Sequence, residues 1–285
     1  MKKLLSVAMA GIAGVACFGL AAGCAPQENL AVGKEVVKFT SQLDTLTQLK
    51  NGSVDAAIID SVMAGYYTSK GDYSNDLQVV NELFFAEEEY GIAGRIEDKA
   101  FVSEINDALI ALRTTKYMET AQNFGLETEM AIKEDTVNPI TSATDNSWER
   151  IKKSGKIIIG YTVFAPIAFT QEGNLTGFDI ELARSVVEYL NDTYTLTLKI
   201  EFQEIDWNSK EVLLQNGTVD LLWNGFTITK ERAEKMSMTI PYLYNKQVAV
   251  VRKSDKDKYT TKESFSQAII GVESGSAGED VVYGK

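Results

Sequence analysis

The apolar and polar positions of this chain alternate between two periods: short buried runs and stretches that repeat at helical spacing. Residues 36–39, VVKF, read as a strand, and 43–50 as a helix that stops at Asn51-Gly52. A glycine there suits the left-handed position past a helix end. Residues 54–60 read as a buried strand, followed by a helix through Tyr67 and a loop of Gly, Asp, Ser and Asn. The spans 77–85 and 90–93 look extended, and Phe101, Ile105, Leu109, Leu112, Met118 and Ala121 recur at helical spacing, predicting two helices over 101–124. Residues 128–147 carry mixed polar residues, one Pro and no sustained period, as a linker does. Beyond it the pattern predicts a helix at 148–153, a strand at 156–161, an amphipathic helix at 178–190 and a strand at 196–202. A helix at 210–215 stops again at Asn-Gly, before a strand at 219–223. Strand and helix alternate throughout, which is the pattern of an α/β protein.

The segments LKNGSVDAAI, 49–58, and LQNGTVDLLW, 214–223, share a helix end, an Asn-Gly stop, Val-Asp and a buried strand at one spacing. Two explanations stand: ordinary helix-to-strand turn chemistry in an α/β protein, or pseudo-equivalent halves of a two-lobed fold. At 285 residues, with 45% hydrophobic and 24% charged positions, the chain can bury one large core or two modest ones.

Charge and composition then remove function classes. A formal net charge of -12 with no cluster of Lys and Arg disfavours nucleic acid and anionic membrane surfaces. The absence of histidine removes Ser-His-Asp and Cys-His nucleophilic machinery, imidazole acid/base work and His-containing zinc sites. No phosphate-cradling loop or dinucleotide fingerprint stands between a strand and a helix, so no cofactor and no metal is expected. Lys2 and Lys3 precede an apolar, small-residue run over 4–22, the layout of an export signal and too brief for a confident membrane span. It ends Leu20-Ala21-Ala22-Gly23-Cys24, which resembles the lipobox of bacterial lipoproteins, in which Cys24 would carry the lipid and become the mature N-terminus. Cys17 would leave with the signal, so the mature protein has no disulfide.

Residues 177–190, GFDIELARSVVEYL, resemble the signature of extracellular solute-binding proteins (family 3) of amino-acid ABC transporters. Residues 205–251 continue that resemblance through a first lobe into an interlobe strand, and 269–282, IIGVESGSAGEDVV, look like the opening of a second lobe. The other blocks of the family lie upstream: 36–67 is similar to the later half of the second lobe, 89–93 to the return crossover, and 101–126 to the C-terminal helices of the first. The resemblance therefore implies a type II periplasmic-binding-protein fold, two α/β lobes around a ligand cleft, in circularly permuted order. Its segments would be a signal peptide at 1–23, a tether at 24–33, the later half of lobe 2 at 34–84, a crossover at 85–92, the C-terminal helices of lobe 1 at 93–127, a linker at 128–147 joining the old termini, the first half of lobe 1 at 148–240, a second crossover at 241–252 and the first half of lobe 2 at 253–285. A flexible linker of about 20 residues spans about 25 Å, comparable to one lobe, so the join needs no strain.

Residue by residue, the resemblance implies that Arg232 clamps a ligand α-carboxylate with its planar guanidinium. Thr227 and the backbone of Gly225, Phe226 and Thr227 would add donors and acceptors, and Ser276 and Ala277 would offer backbone N–H groups from the other lobe, with Ser276 also fit to be a helix N-cap. Asp60, a carboxylate at the end of an apolar strand, would take the α-ammonium. Phe164 and Trp207 would sandwich the ligand side chain, joined by Phe226. Tyr161, Asp179, Asn224 and Glu273 match positions that vary or face that side chain, and Glu273 hints at a polar or cationic substituent. The function so implied is capture of an amino acid or close analogue by a lipid-anchored binding protein at the extracytoplasmic face of a bacterial membrane, with an ABC permease and its ATPase as partners. The rivals are a dehydratase on the same fold, with Glu273 or Asp60 as its acid, and a sensory or non-functional remnant.

Overall fold

A computed structural model describes residues 30–70 and 73–285. The signal sequence, Cys17, Cys24 and most of the expected tether lie outside the described residues. In chain order the elements are β1 (Glu35–Phe39), α1 (Gln42–Lys50), β2 (Ala56–Asp60), α2 (Ser61–Ser69), β3 (Leu77–Arg95), α3 (Lys99–Leu112) and α4 (Lys116–Phe124). There follow α5 (Ser147–Ser154), β4 (Lys156–Tyr161), the short β5 (Phe169–Gln171) and β6 (Asn174–Thr176), and α6 (Phe178–Tyr194). The chain ends with β7 (Lys199–Glu204), α7 (Lys210–Gln215), β8 (Leu221–Thr227), α8 (Lys230–Lys235), β9 (Met236–Met238), β10 (Leu243–Arg252), β11 (Ile269–Glu273) and α9 (Ala277–Tyr283). Both Asn-Gly stops end their helices as expected, with Gly52 at φ 83° and Gly217 at φ 79°, values that cost a glycine nothing.

One mixed sheet runs through the molecule in the order β1-β11-β2-β10-β3-β8-β4-β7, with β9 paired to β3, while β5 and β6 form a separate ribbon. β1, β11 and β2 are mutually parallel at one end, and β8, β4 and β7 at the other. Strands in such groups are covered on both faces and so read as unbroken apolar runs. β2 (AAIID) and β8 (LLWNGFT) are buried at every position.

The side chains gather into two lobes. Lobe 2 packs Leu46, Leu49, Ile59 and Val250 on one face of its strands and Ile58, Phe265, Ile270 and Val272 on the other. Lobe 1 does the same with Phe101, Ile159, Phe178 and Trp223 against Leu214, Leu222 and Phe226. Between them runs an antiparallel ribbon of β3 and β10. β10 meets β2 from Gln247 onward, and β3 meets β8 from Tyr90 onward; Glu87, Glu88 and Glu89 lie opposite Lys246, Asn245 and Tyr244 in the ribbon, whose ends are tied to the lobes by the Ile228 amide on the Glu89 carbonyl at 2.8 Å and the Lys246 amide on Ser61 Oγ at 3.1 Å. β3 is one strand of 19 residues where the sequence predicts two. Glu82 adopts φ 57° within it, and the register slips between Gln247 and Val250, a bulge where the ribbon leaves the lobe 2 sheet.

Two connections differ from expectation. Residues 30–33 are not a loose tether: Val32 is buried, Leu30 packs beside it, and the amides of Ala31 and Val32 donate to the Val282 carbonyl at 2.8 and 3.4 Å. The linker at 128–147 is strapped to the helices of lobe 1 and is not a flexible coil. Ala131 and Ile132 are buried, Met130 bridges to Leu243, the Asn138 amide reaches Ser103 and Asp107, and Asp145 accepts from the Ala100 amide. These anchors are isolated side chains in a stretch without period, so no pattern announces them.

Candidate functional site

The C-terminal ends of the parallel strands of both lobes face one another across a cleft, where sites of open α/β sheets form. Asp60 is the last residue of β2 and Glu273 the last of β11, while Asn224, Gly225 and Thr227 fall at the C-terminal end of β8. Thr162, Val163 and Phe164 follow β4, Trp207 follows β7, and Ser276 and Ala277 open α9. All of these residues line the cleft with Arg232, Gln42 and Met63, around a free space of about 20 Å³. A wider pocket of about 850 Å³ shares Thr227 and Ala277 with it and has Lys230 and Lys246 among its walls.

Arg232 sits in the first turn of α8, which Thr229 caps by accepting from the Arg232 amide at 3.1 Å. Its side chain is 7% exposed. Nη1 donates to the Thr227 carbonyl at 2.8 Å, Nη2 to the Gly275 carbonyl at 3.4 Å, and the guanidinium lies 4.5 Å over the Phe226 ring. Among the described residues it forms no ion pair. A buried charge held only by carbonyls is costly to keep.

Opposite stands an acidic group. The Asp60 carboxylate accepts from the amides of Gln42, Asn245 and Gln247. Glu88, in the interlobe ribbon, accepts from Asn245 at 2.9 Å, Gln247 at 3.0 Å and the Thr227 hydroxyl at 3.3 Å. Burial raises the Asp60 carboxyl above the usual range despite its amide donors. Burial and then the Asp60 charge push Glu88 up to about 7. Glu273 is likewise pushed up to about 8 by burial and by Asp60, against the pull of Lys210.

Lys210, the first residue of α7, is 5% exposed and pushed down to about 8 by burial and by Arg232. Its ammonium donates to the carbonyls of Trp207 at 3.1 Å and Gly275 at 3.3 Å, and lies 4.5 Å from the Trp207 ring centre. The Trp207 indole N–H also donates to Gly275, at 3.2 Å. Three lobe 1 side chains, Trp207, Lys210 and Arg232, thus converge on one lobe 2 carbonyl.

Gly225 explains itself by contact. It has φ 57°, and a Cβ there would come within 2.6 Å of Phe164 Cε1 and 3.1 Å of Tyr90 Cε2. The Ser276 hydroxyl accepts from the Glu279 amide and donates to the Glu273 carbonyl, so it serves as the N-cap of α9.

Ten of the thirteen residues expected at the cleft line it: Asp60, Phe164, Trp207, Asn224, Gly225, Thr227, Arg232, Glu273, Ser276 and Ala277. Phe226 does not; it is fully buried against Trp207 and beneath Arg232, a floor and not a wall. Nor does Tyr161, which packs edge-on to Phe202 while the next residue, Thr162, takes the cleft and accepts from Asn224 Nδ2 at 2.6 Å. A one-residue slip at a strand end moves a side chain to the other face. Asp179 faces away from the cleft and is buried, accepting from the Gly225 amide and the Tyr242 hydroxyl, both at 2.8 Å. Gln42, Met63 and Thr162 are additional walls, and Glu88, Lys210, Asn245 and Gln247 form the layer behind; their only signal is that polar residues interrupt buried strands at 245 and 247.

Residues 157–275 match the family of bacterial extracellular solute-binding proteins, family 3. That segment is homologous to amino-acid-binding proteins of ABC transporters. The probable ABC transporter extracellular-binding protein YckB of Bacillus subtilis is 34% identical over 39% of this chain and 38% of its own length. The glutamine-binding protein of Geobacillus stearothermophilus is 30% identical over 52% of this chain and 56% of its own. The chain therefore spans between about a third and somewhat over half of these curated relatives, which are binding proteins by name and not enzymes. The crystal structure of a polar amino acid ABC uptake transporter substrate-binding protein from Streptococcus thermophilus is 39% identical over 31% of this chain and 32% of that one, with a TM-score of 0.28.

Proposed function

We propose that this protein captures an amino acid or close analogue between its lobes and presents it to an ABC permease and its ATPase from the extracytoplasmic face of the membrane, anchored by lipid on Cys24. The observation that carries the reading is Arg232: a guanidinium 7% exposed, in no ion pair within 4 Å among the described residues, at the wall of a cleft whose other wall holds Asp60. The ligand α-carboxylate takes Arg232 as its counter-ion, and the α-ammonium takes Asp60. Both charges are thereby paired in a dry site, where a paired charge is worth far more than at a surface. Thr227 and Gly225 supply polar groups between these poles, and Phe164 and Trp207 flank the side chain.

The free space of about 20 Å³ holds little more than a water, so entry requires the lobes to part about the ribbon formed by Glu87–Glu89 and Tyr244–Lys246. The circular permutation belongs to the same proposal. Its support is that β1 and β11, more than 200 positions apart, pair in parallel with Val37 opposite Gly271, and that the strapped 128–147 segment leads from the helices of lobe 1 into its first strand. The deciding experiment is thermal denaturation of the full chain against the amino acids one at a time. A rise in melting temperature with at least one of them is expected; none with any, at millimolar concentration, overturns the reading.

A further inference from the structure

Resting on that reading, we infer that Glu88 is a positioning residue for capture: it shares one proton with Asp60 before the ligand arrives, and the α-ammonium that engages Asp60 expels that proton. The carrying observation is an arrangement of four side chains. Asn245 Nδ2 and Gln247 Nε2 each donate to Asp60 Oδ1 and also to Glu88 Oε2, the latter at 2.9 and 3.0 Å. Two nitrogens that bridge the same two oxygens hold those oxygens near each other. The remaining donors, the Gln42 amide on Asp60 and the Thr227 hydroxyl on Glu88, are neutral as well. Neither carboxylate is in an ion pair within 4 Å among the described residues. Two buried carboxylates brought together without a cation do not both ionise, so one proton stays with the pair.

The two carboxylates also differ in what they face. Asp60 lines the cleft and Glu88 does not; Glu88 lines the wider pocket, among whose walls are the exposed Lys230, Lys246 and Lys285. An incoming ammonium therefore meets Asp60 on one side of the pair, while the proton leaves Glu88 for solvent on the other. One positive charge enters and one departs. Glu88 is left ionised, and its charge adds to that of Asp60 in holding the ammonium.

Every element packed around the pair contributes a facing group. β10 brings Asn245 and Gln247, β8 brings Thr227, α1 brings Gln42, and β3 itself brings the Tyr90 hydroxyl, which burial and both carboxylates keep protonated. Arg232 of α8 and Glu273 of β11 act at longer range. Around the wider pocket, Glu231 pairs with Lys235, Glu87 with Lys246 and Asp280 with Lys285. Burial first and the Asp60 charge second push Glu88 up to about 7, so below neutral pH it carries the shared proton. The ammonium lowers that value. Affinity is therefore complete above about 7 and is lost as pH falls, by up to about tenfold per unit.

Calorimetric titration of the full chain and of Glu88→Gln at pH 8 and pH 5.5 tests this, with the protein amino acids as probes, histidine excepted because its own ring titrates between the two. Glutamine keeps the acceptor and puts an N–H that cannot leave in place of the proton. A probe that binds is expected to bind the unmodified protein about tenfold more tightly than the variant at pH 8, and within about threefold of it at pH 5.5. Glu273, with its carboxyl at about 8, is common to both proteins and cancels from the comparison. Near pH 6, heats in buffers of different ionisation enthalpy should show the unmodified protein releasing close to one proton more per probe bound than the variant does. A ratio of affinities that does not change with pH overturns the inference and leaves the amino-acid reading standing; binding of none of the probes removes both. If the variant does not fold, the absence of proton release from the unmodified protein near pH 6 overturns the inference by itself.

Discussion

Asp60 and Glu88 draw hydrogen bonds from the same two amides, Asn245 Nδ2 and Gln247 Nε2, although Asp60 closes a strand of lobe 2 and Glu88 lies in the ribbon between the lobes. The cleft carboxylate and the interlobe ribbon are therefore one hydrogen-bonded unit. Ionising both carboxylates at once opposes itself, because each raises the other's affinity for a proton.

Stability should depend on pH through Glu88. Its folded carboxyl stands at about 7 against an ordinary 4.5, so the folded state binds the proton more tightly. The stabilising contribution is complete below about 4.5 and is lost as pH rises to about 7. Glu88→Gln removes that loss. Chemical denaturation at pH 5 and pH 8 should show the variant gaining on the parent by up to about 3 kcal/mol at the higher pH; a difference that stays constant with pH would remove Glu88 as the titrating group.

Arg232→Ala should abolish the proposed ligand capture without lowering stability, since the cation it deletes is buried and is in no ion pair within 4 Å among the described residues. Losing one side of a buried charge pair costs about 2 to 5 kcal/mol of binding, roughly 30-fold to 5,000-fold in affinity. Calorimetry on the variant, with Asp60→Asn in parallel, measures it. Affinity retained within about threefold moves the carboxylate site elsewhere.

Light scattering at micromolar concentration should find a monomer. β1 and β11 bring the two ends of the chain into one sheet, a contact of high loop-closure cost for folding rate and only modest cost for stability. A domain-swapped dimer, in which 34–84 of one molecule completes lobe 2 of another, would instead show a melting temperature that rises with protein concentration.

With the proposed lipid on Cys24, Cys24→Ser should leave the fold intact and release the protein from membranes. Detergent partitioning that does not change in the variant would refute the lipid anchor.

The sequence made the strands and helices legible where period and stop signals agree, as at Asn51-Gly52 and Asn216-Gly217. It failed where tertiary pairing overrides the local pattern. The run Glu87-Glu88-Glu89 falls in the gap between the two predicted strands, yet it is mid-strand because β10 holds it along one edge and the Ile228 amide takes the Glu89 carbonyl on the other. The cleft positions of Arg232 and Asp60 were readable because both are polar residues stranded beside apolar runs. Tyr161 and Phe226 were misplaced by the twist at a strand end and by stacking beneath Arg232, which only assembled elements reveal. Gln42 and Lys210 belong to unremarkable helix starts, and nothing in their neighbourhoods tells that they meet Asp60 and Gly275.

The Gly275 carbonyl, reached by Trp207, Lys210 and Arg232 at 3.2 to 3.4 Å, has a consequence for timing. A main-chain oxygen has no side chain to vary, so the lifetime of the shut cleft can be adjusted only from the donor side. Of the three donors Lys210 alone does not line the cleft. On the proposed reading, substitution at that one position resets how long cargo is retained, and hence how often a carrier arrives still loaded, and it touches the cleft only through the Trp207 ring and the charge of Glu273.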